Sequence, residues 1–226
     1  MSKINIAIDG PAGAGKSTIA KSLAKSRNMV YVDTGAMYRA IGLYCSRKGI
    51  NGNDEDAVVG ELNNINVSLA YENGEQVVYL NGENVNGFIR TPEAGNMASA
   101  VSVYPKVRAK MVELQQGLAK TTSVVMDGRD IGTVVLPNAE VKIYLTASSA
   151  VRAKRRYDEL TSKGMTCDLA TLQKEIEERD YRDMNRETSP LRQAEDAVLL
   201  DTSELNIEEV VAEMQKIIAE KIKEQP

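Results

Sequence analysis

Gly10-Pro11-Ala12-Gly13-Ala14-Gly15-Lys16-Ser17 follows the apolar run Ile4 to Ile8 directly and precedes a stretch with helical spacing. A G-x-x-x-x-G-K-[ST] pattern set between a strand and a helix specifies a loop that wraps a polyphosphate. Its glycines let successive backbone N–H groups face phosphate oxygens, and the helix beginning near Lys16 adds the positive end of its dipole. Lys16 brings a charge to the outer phosphates, and Ser17 offers a hydroxyl to Mg²⁺. Gly10, Pro11, Ala12, Gly13, Ala14, Gly15, Lys16, Ser17 and Thr18 are therefore the candidate nucleotide-phosphate contacts. A plain Gly-rich turn with an exposed Lys would account for the glycines but not for the flanking strand and helix.

Beyond the loop, short β-branched runs alternate with helical patterns. Candidate strands run Ile4 to Ile8, Met29 to Val32, Ser123 to Met126, Val141 to Leu145 and Ala197 to Leu200. That order predicts an α/β fold with a parallel five-stranded sheet flanked by helices. Ile19, Ala20, Leu23 and Ala24 mark the helix after the loop, and Pro105 opens another with Val107, Met111, Leu114 and Leu118 on one face. Near the end, Asn206 and Glu209 read as a capping box before the stripe Val210, Met214, Ile217, Ile218 and Ile222. Such stripes are core rather than function. At 226 residues the chain is expected to form a single domain, one core carrying insertions.

Two stretches break the alternation. From about Ile65 to Thr91, apolar and polar residues alternate through Val67, Leu69 and Tyr71, turn at Asn73-Gly74 and return through Val77, Tyr79 and Val85. This predicts a small antiparallel sheet inserted into the core. From about Ser148 to Glu187 the chain is strongly charged and reads as two helices around Gly164. Arg152, Arg155 and Arg156 lie on the first; Arg179, Arg182 and Arg186 lie on the second, at a spacing that places them on one face. Local acid partners such as Asp158, Glu159, Glu178, Asp180 and Asp183 would make this a solvated surface pair. Downstream of a phosphate loop the other reading gains weight, because Arg matches phosphate oxygens bidentately. The segment is then a helical lid.

Composition removes several chemistries. The chain has no histidine, so imidazole general-base catalysis, Ser-His-Asp triads and His-containing metal sites are excluded. Phosphoryl transfer survives, because there the protein mainly positions reactants and neutralises charge. A net charge of −4 argues against a broad nucleic-acid face. No apolar run approaches the roughly 18 residues of a membrane span, and a strand close to Met1 leaves no room for a signal peptide. The chain is expected to be cytoplasmic, with Cys45 and Cys167 as reduced thiols and with no nucleic-acid or membrane partner.

Two acids compete for a place beside the metal. Asp127 ends the run Ser123-Val-Val-Met and continues into Gly128-Arg129-Asp130, like the strand-end carboxylate that holds Mg²⁺ or its waters in phosphate-loop enzymes. Asp33 stands at the end of the preceding candidate strand and is its rival. Both sit where open α/β sheets bind ligands, at carboxyl ends of strands.

Together these segments resemble the bacterial cytidylate kinases, a family of nucleoside monophosphate kinases. The resemblance rests on Ile8-Asp9-Gly10-Pro11 through Lys16-Ser17-Thr18, on Asp33-Thr34-Gly35-Ala36-Met37-Tyr38-Arg39, and on Ile89-Arg90-Thr91. It continues through Val107-Arg108, Asp127 to Thr133, Glu178-Arg179-Asp180, Arg182-Asp183 and Asn185-Arg186. It implies a P-loop NTPase core of about 1–33, 104–147 and 188–226, a monophosphate-binding region of about 34–103 with its inserted sheet at about 65–91, and a lid of about 148–187. The implied activity is Mg²⁺-dependent transfer from ATP to CMP or dCMP. Thr34, Tyr38, Arg39, Arg129, Arg179, Asp183 and Arg186 would hold the acceptor's phosphate and sugar, and Ser99, Arg108 and Asp130 would read cytosine. A carboxylate, an Arg and a hydroxyl complement the amino group, N3 and O2 of that base. Lys16, Arg129 and one or more of Arg152, Arg155 and Arg156 would spread the charge of the moving phosphoryl group. A segment such as Asp201 to Leu205 is placed near adenine by topology, and a monomer is expected. UMP or AMP kinases and a non-catalytic nucleotide switch remain the alternatives, although the N-K-x-D, D-x-x-G and Ser-Gly-Gly signatures of other nucleotide-binding classes are missing.

Overall fold

The computed structural model describes residues 3–72 and 74–223. In chain order these form β1 (Asn5–Asp9), α1 (Lys16–Ser26), β2 (Val30–Asp33), α2 (Thr34–Arg47), α3 (Glu55–Gly60), a 3₁₀ turn (Leu62–Asn64), β3 (Val67–Glu72), β4 (Glu75–Leu80), β5 (Glu83–Asn84), α4 (Pro92–Val101), α5 (Pro105–Thr121), β6 (Val124–Gly128), a π-helical turn (Ile131–Val135), β7 (Val141–Thr146), α6 (Ser149–Ser162), α7 (Leu169–Asn185), β8 (Val198–Asp201) and α8 (Ile207–Lys223). Among the described residues no helix is long and apolar enough to cross a membrane.

Five strands form one sheet in the order β2-β6-β1-β7-β8. β1 runs parallel to β6 and β7, and β7 parallel to β8. Ile6, Ala7, Ile8, Val124, Val125 and Met126 are fully buried, which is why the inner strands read as unbroken apolar runs rather than alternating ones. Each strand reaches further toward its carboxyl end than its apolar run, onto Asp9, Asp33, Asp127-Gly128, Thr146 and Asp201. Parallel ladders need only backbone partners, so an acid joins a strand wherever its carboxylate finds donors.

The chain divides into two compact units, residues up to Val30 with those from Ser123 onward, and Tyr31–Thr122. In the first, α1 buries Ile19, Ala20, Leu23 and Ala24. α8 buries Val210, Met214, Ile217 and Ile218 behind a reciprocal capping box. There Asn206 N–H donates to Glu209 Oε2 over 2.8 Å, and Glu209 N–H to Asn206 Oδ1 over 3.0 Å. Gly164 lies between α6 and α7 with φ of 76°.

The second unit holds the separate three-stranded antiparallel sheet β3-β4-β5, with Leu69 opposite Val78. Of the expected Asn73-Gly74 turn, Asn73 lies outside the described residues and Gly74 has φ of 80°. Pro105 occupies the first turn of α5 as expected, but the buried face of this helix is Val107, Arg108, Met111, Gln115 and Ala119. Leu114 and Leu118 are only half-buried. The buried stripe follows the i, i+4 row, and Gln115 Nε2 lies 3.8 Å from Met37 Sδ of α2. α5, read from the sequence as part of the core, groups with this unit.

Candidate active site

The glycines of the phosphate loop hold two close approaches. Gly10 has φ of 149°, and a Cβ there would stand 1.9 Å from the carbonyl oxygen of Leu145 on β7. Gly13 has φ of 76°, and its Cβ would lie 3.3 Å from Arg152 Cβ on α6. Gly15, in the left-handed region, is the N-cap of α1 and supplies no side-chain cap. α6 and α7, by contrast, are capped by Ser148 and Asp168. The first N–H groups of α1 thus receive no bond from the side chain of the N-cap residue, at the end of a helix that favours anions.

Lys16 is 6% exposed, and its Nζ donates to the Pro11 carbonyl over 2.7 Å. Burial holds its pKa well below the ordinary lysine value and Arg129 pushes the same way, while Asp127 and Asp9 oppose them. Ser17 Oγ donates to Asp127 Oδ2 over 2.9 Å. A hydroxyl and a carboxylate side by side are the hard oxygen donors that Mg²⁺ takes. Among the described residues no cluster of three or more His, Cys, Asp or Glu could cage a metal.

Asp33 is engaged differently. Its Oδ1 accepts from Ala36 N–H over 2.9 Å, capping α2, and its Oδ2 pairs with Arg90 at 2.8 Å. Gln76 of β4 brackets its backbone, accepting from Asp33 N–H over 2.8 Å and donating to its carbonyl over 3.3 Å.

The charged helical segment divides its arginines among separate tasks. Arg152 donates to the carbonyls of Ala147 and Ala12 over 2.8 and 2.9 Å and pairs with Asp180 at 2.6 Å. Arg155 donates to the hydroxyl and carbonyl of Thr202, at 3.2 and 2.6 Å. That contact brings α6 onto the Asp201 to Leu205 segment. Arg156 pairs with Glu159 on its own helix at 2.7 Å.

Arg179, Arg182 and Arg186 do not share a helix face. α7 stops at Asn185, Arg186 is extended at φ −65° and ψ 143°, and Arg182 is exposed. Leu191 N–H donates to Asp183 O and Ser189 has φ of 51°, so the chain turns back where helical spacing would have continued. The inward face of α7 carries Asp180 and Asp183.

Arg129 Nε donates to Asp183 Oδ2 over 2.9 Å, and Arg186 Nη2 stands 3.9 Å from Asp130 Oδ1. Burial would raise the Asp183 pKa, but Arg129, Arg179 and Arg186 together hold it below the usual carboxylate value. In the second unit Thr34, Tyr38, Ser99 and Arg108 are buried and Arg39 is half-buried. The Arg108 guanidinium lies over the Tyr38 ring, 5.5 Å from its centre, and donates to Ser102 O over 3.1 Å.

Sequence reasoning gave no role to Asp9, Gln76 or Arg90, and Asp180 entered it only as one of several acids that could neutralise the arginines. Asp9 Oδ1 and Oδ2 accept from the N–H groups of Ile131 and Gly132, both over 2.7 Å. Its only sequence signal is an acid wedged between an apolar strand and a glycine.

Comparison with protein-family models matches residues 6–220 to the family described as cytidylate kinase. A curated cytidylate kinase of Caldicellulosiruptor bescii is 50% identical over 223 residues, covering 99% of each chain. That of Enterococcus faecalis is 52% identical over 221 residues, covering 98% of each. Among solved structures, shikimate kinase from Acinetobacter baumannii superposes with a TM-score of 0.50 at 12% identity, covering 100% of this chain and 97% of that one. An uncharacterised Eubacterium ventriosum protein superposes with a TM-score of 0.52 at 12% identity, covering 96% and 99%. These structures share the fold alone.

Proposed function

The chain belongs to the cytidylate kinase family, and from that premise we propose how its residues divide the work of the reaction. The activity is transfer of the γ-phosphoryl group of ATP to CMP, giving ADP and CDP. The proposal extends the acceptors to dCMP and assigns roles residue by residue. The observation that carries it is the convergence, within one unit, of the phosphate loop, the buried Lys16 and the Ser17–Asp127 pair.

The loop from Gly10 to Thr18 holds the donor's phosphates through its N–H groups and the start of α1. Lys16, poorly solvated where it lies, exchanges the Pro11 carbonyl for a phosphate oxygen and stabilises charge on the transferred group. Ser17 and Asp127 hold the Mg²⁺ and its waters. The ion, when bound, neutralises phosphate charge and orients the oxygens. Asp33 is assigned instead to fixing the start of α2, because its two oxygens already serve Ala36 and Arg90.

Arg129, Arg179, Arg186 and Asp183, with Thr34, Tyr38 and Arg39, hold the acceptor's phosphate and sugar, and Ser99, Arg108 and Asp130 read cytosine. The attacking group is a phosphate oxygen whose second pKa is near 6, so it is already ionised at neutral pH. No protein base is required, in keeping with a chain that has no histidine. Arg155 and Arg156, both half-buried, spread the charge of transfer, while Arg152 acts through the Ala12 carbonyl. Closing α6 and α7 over the phosphates excludes the water that would otherwise accept the phosphoryl group.

Magnesium titration of the rate tests the metal assignment. Asp127→Asn is expected to raise the Mg²⁺ needed for half-maximal turnover by about tenfold or more, whereas Asp33→Asn, which keeps a capping oxygen, leaves it in place. The reverse pattern would move the metal to Asp33.

A further inference from the structure

β1 hands the chain to the phosphate loop through Asp9, which lies directly before Gly10 and is 5% exposed. Its carboxylate points across to the segment after β6, and both oxygens are used. Oδ1 accepts from Ile131 N–H and Oδ2 from Gly132 N–H, each over 2.7 Å. These are the first amides of the π-helical turn Ile131–Val135, whose N-cap, Asp130, makes no side-chain capping bond. Asp9 therefore caps this turn from another strand. Asp130 is the residue next to that cap, and Arg129 is one further back.

We propose that Asp9 is a positioning residue for phosphoryl transfer, one that fixes the Arg129–Asp130 segment to the start of the phosphate loop and so sets acceptor against donor. The inference rests on the reading that Gly10 to Thr18 hold ATP and that Arg129 and Asp130 hold CMP.

The choice of residue supports it. Two parallel N–H donors need two acceptors on one rigid group, which a carboxylate supplies and an amide does not, since Asn would turn its NH₂ toward one of the donors. Gly132 keeps the junction open, chiefly on its Lys142 side. A Cβ there would lie 3.4 Å from Asp9 Oδ2 and 3.1 Å from Lys142 Cδ. The charge is held at a cost, because burial raises the Asp9 pKa from 3.8 to about 6.

The anchored segment is tied on its far side as well. Arg129 Nε bonds Asp183 over 2.9 Å, and Asp130 faces Arg186 at 3.9 Å. The segment is thus held at both ends, and Asp9 is the end joined to the donor loop. A displacement of about 1 Å at reacting groups costs on the order of a hundredfold in rate, which is the leverage such an anchor has.

Steady-state kinetics of Asp9→Asn in the full chain test the proposal, with ATP binding measured by calorimetry and amide exchange read at Ile131 and Gly132. The expected result is a fall in kcat/KM for CMP of about tenfold or more, ATP affinity within about threefold of wild type, and faster exchange at both amides. A fall in kcat that only tracks the folded fraction, with KM for CMP unchanged, would mean a structural cap and overturn the proposal. Equal losses for ATP and CMP would overturn it too. Should Asp9→Asn fail to fold, Asp9→Glu keeps the charge and both acceptor oxygens but lengthens the anchor by one methylene. It is expected to give the same split, and a wild-type KM for CMP there refutes the anchor. Asp130→Ala separates this inference from its premise. If that variant leaves KM for CMP unchanged, the acceptor assignment itself fails; if it raises KM while Asp9→Asn does not, the anchor alone fails.

Discussion

Replacing Arg152 by Ala removes a strut as well as a charge. Its guanidinium joins three places: the Ala12 carbonyl in the phosphate loop, the Ala147 carbonyl after β7, and Asp180 of α7. The Arg152 and Asp180 side chains are 6% and 12% exposed, so water does not take over when one partner is lost. Asp180 Oδ1 is buried without a hydrogen-bond partner, which leaves the Arg152 contact at Oδ2 as its compensation. Breaking a buried pair from one side costs about 3–5 kcal/mol, a large part of the roughly 5–15 kcal/mol by which domains are stable. Urea unfolding at neutral pH, followed by circular dichroism, reads this loss directly. Adding Asp180→Asn to the Arg152→Ala protein removes the stranded charge and is expected to recover about 1–3 kcal/mol. A loss below about 1 kcal/mol, the range of an exposed pair, would refute the strut, and so would a double variant no more stable than the single one. In that event Arg152 would be a phosphate contact with no bracing role.

Lys16→Ala is expected to lower kcat by about a hundredfold or more while the protein stays folded, and near-normal turnover in a stopped-flow assay would remove Lys16 from the charge-stabilising role. Asp130→Ala is expected to raise KM for CMP about tenfold or more and to leave KM for ATP within about twofold, whereas matched changes would dissolve the cytosine assignment. The Asp9 carboxyl, raised from 3.8 to about 6 by burial against the pull of the Gly132 and Ile131 amides, gives a signed effect of pH. Between about pH 4 and 6 the folded chain keeps a proton that the unfolded chain has released, so this group makes stability fall as pH rises, by up to about 3 kcal/mol once above the window. The stability of wild type relative to Asp9→Asn should therefore decline from pH 4 to 7 in urea titrations, and a flat difference would contradict the raised pKa.

Most of the core was legible because its elements declare themselves locally. The sheet's strands are apolar runs, α1 follows a loop whose composition admits few conformations, and Asn206 and Glu209 announce the start of α8. The inserted sheet was equally plain from its alternation. What escaped depends on partners remote in sequence. The candidate strands stop one residue short of Asp9, Asp33 and Asp127, which the sheet takes in, with β6 running on to Gly128; the donors that hold Asp9 and Asp33 come from Ile131, Gly132 and Arg90. Helical spacing placed Arg186 beside Arg182, but α7 ends one residue earlier and the Ser189 turn redirects the chain. In α5, Gln115 is buried where Leu114 was expected, because the facing residue is Met37. Arg152 looked like its neighbours Arg155 and Arg156 in sequence, and only its ties to Ala12, Ala147 and Asp180 set it apart. The loop motif thus pointed to a donor site from its own residues, while the acceptor assignments came from family resemblance.

We propose that this chain moves a phosphoryl group from ATP to a cytosine monophosphate held by its own arginines and Asp130. ADP formation from Mg-ATP, with CMP, dCMP, UMP and AMP offered in parallel, is the deciding assay. Rapid turnover with CMP and dCMP, with kcat/KM for UMP and AMP lower by about a hundredfold, is the expected result. ADP formation no faster with CMP than with water, or equal turnover of CMP and AMP, would contradict it.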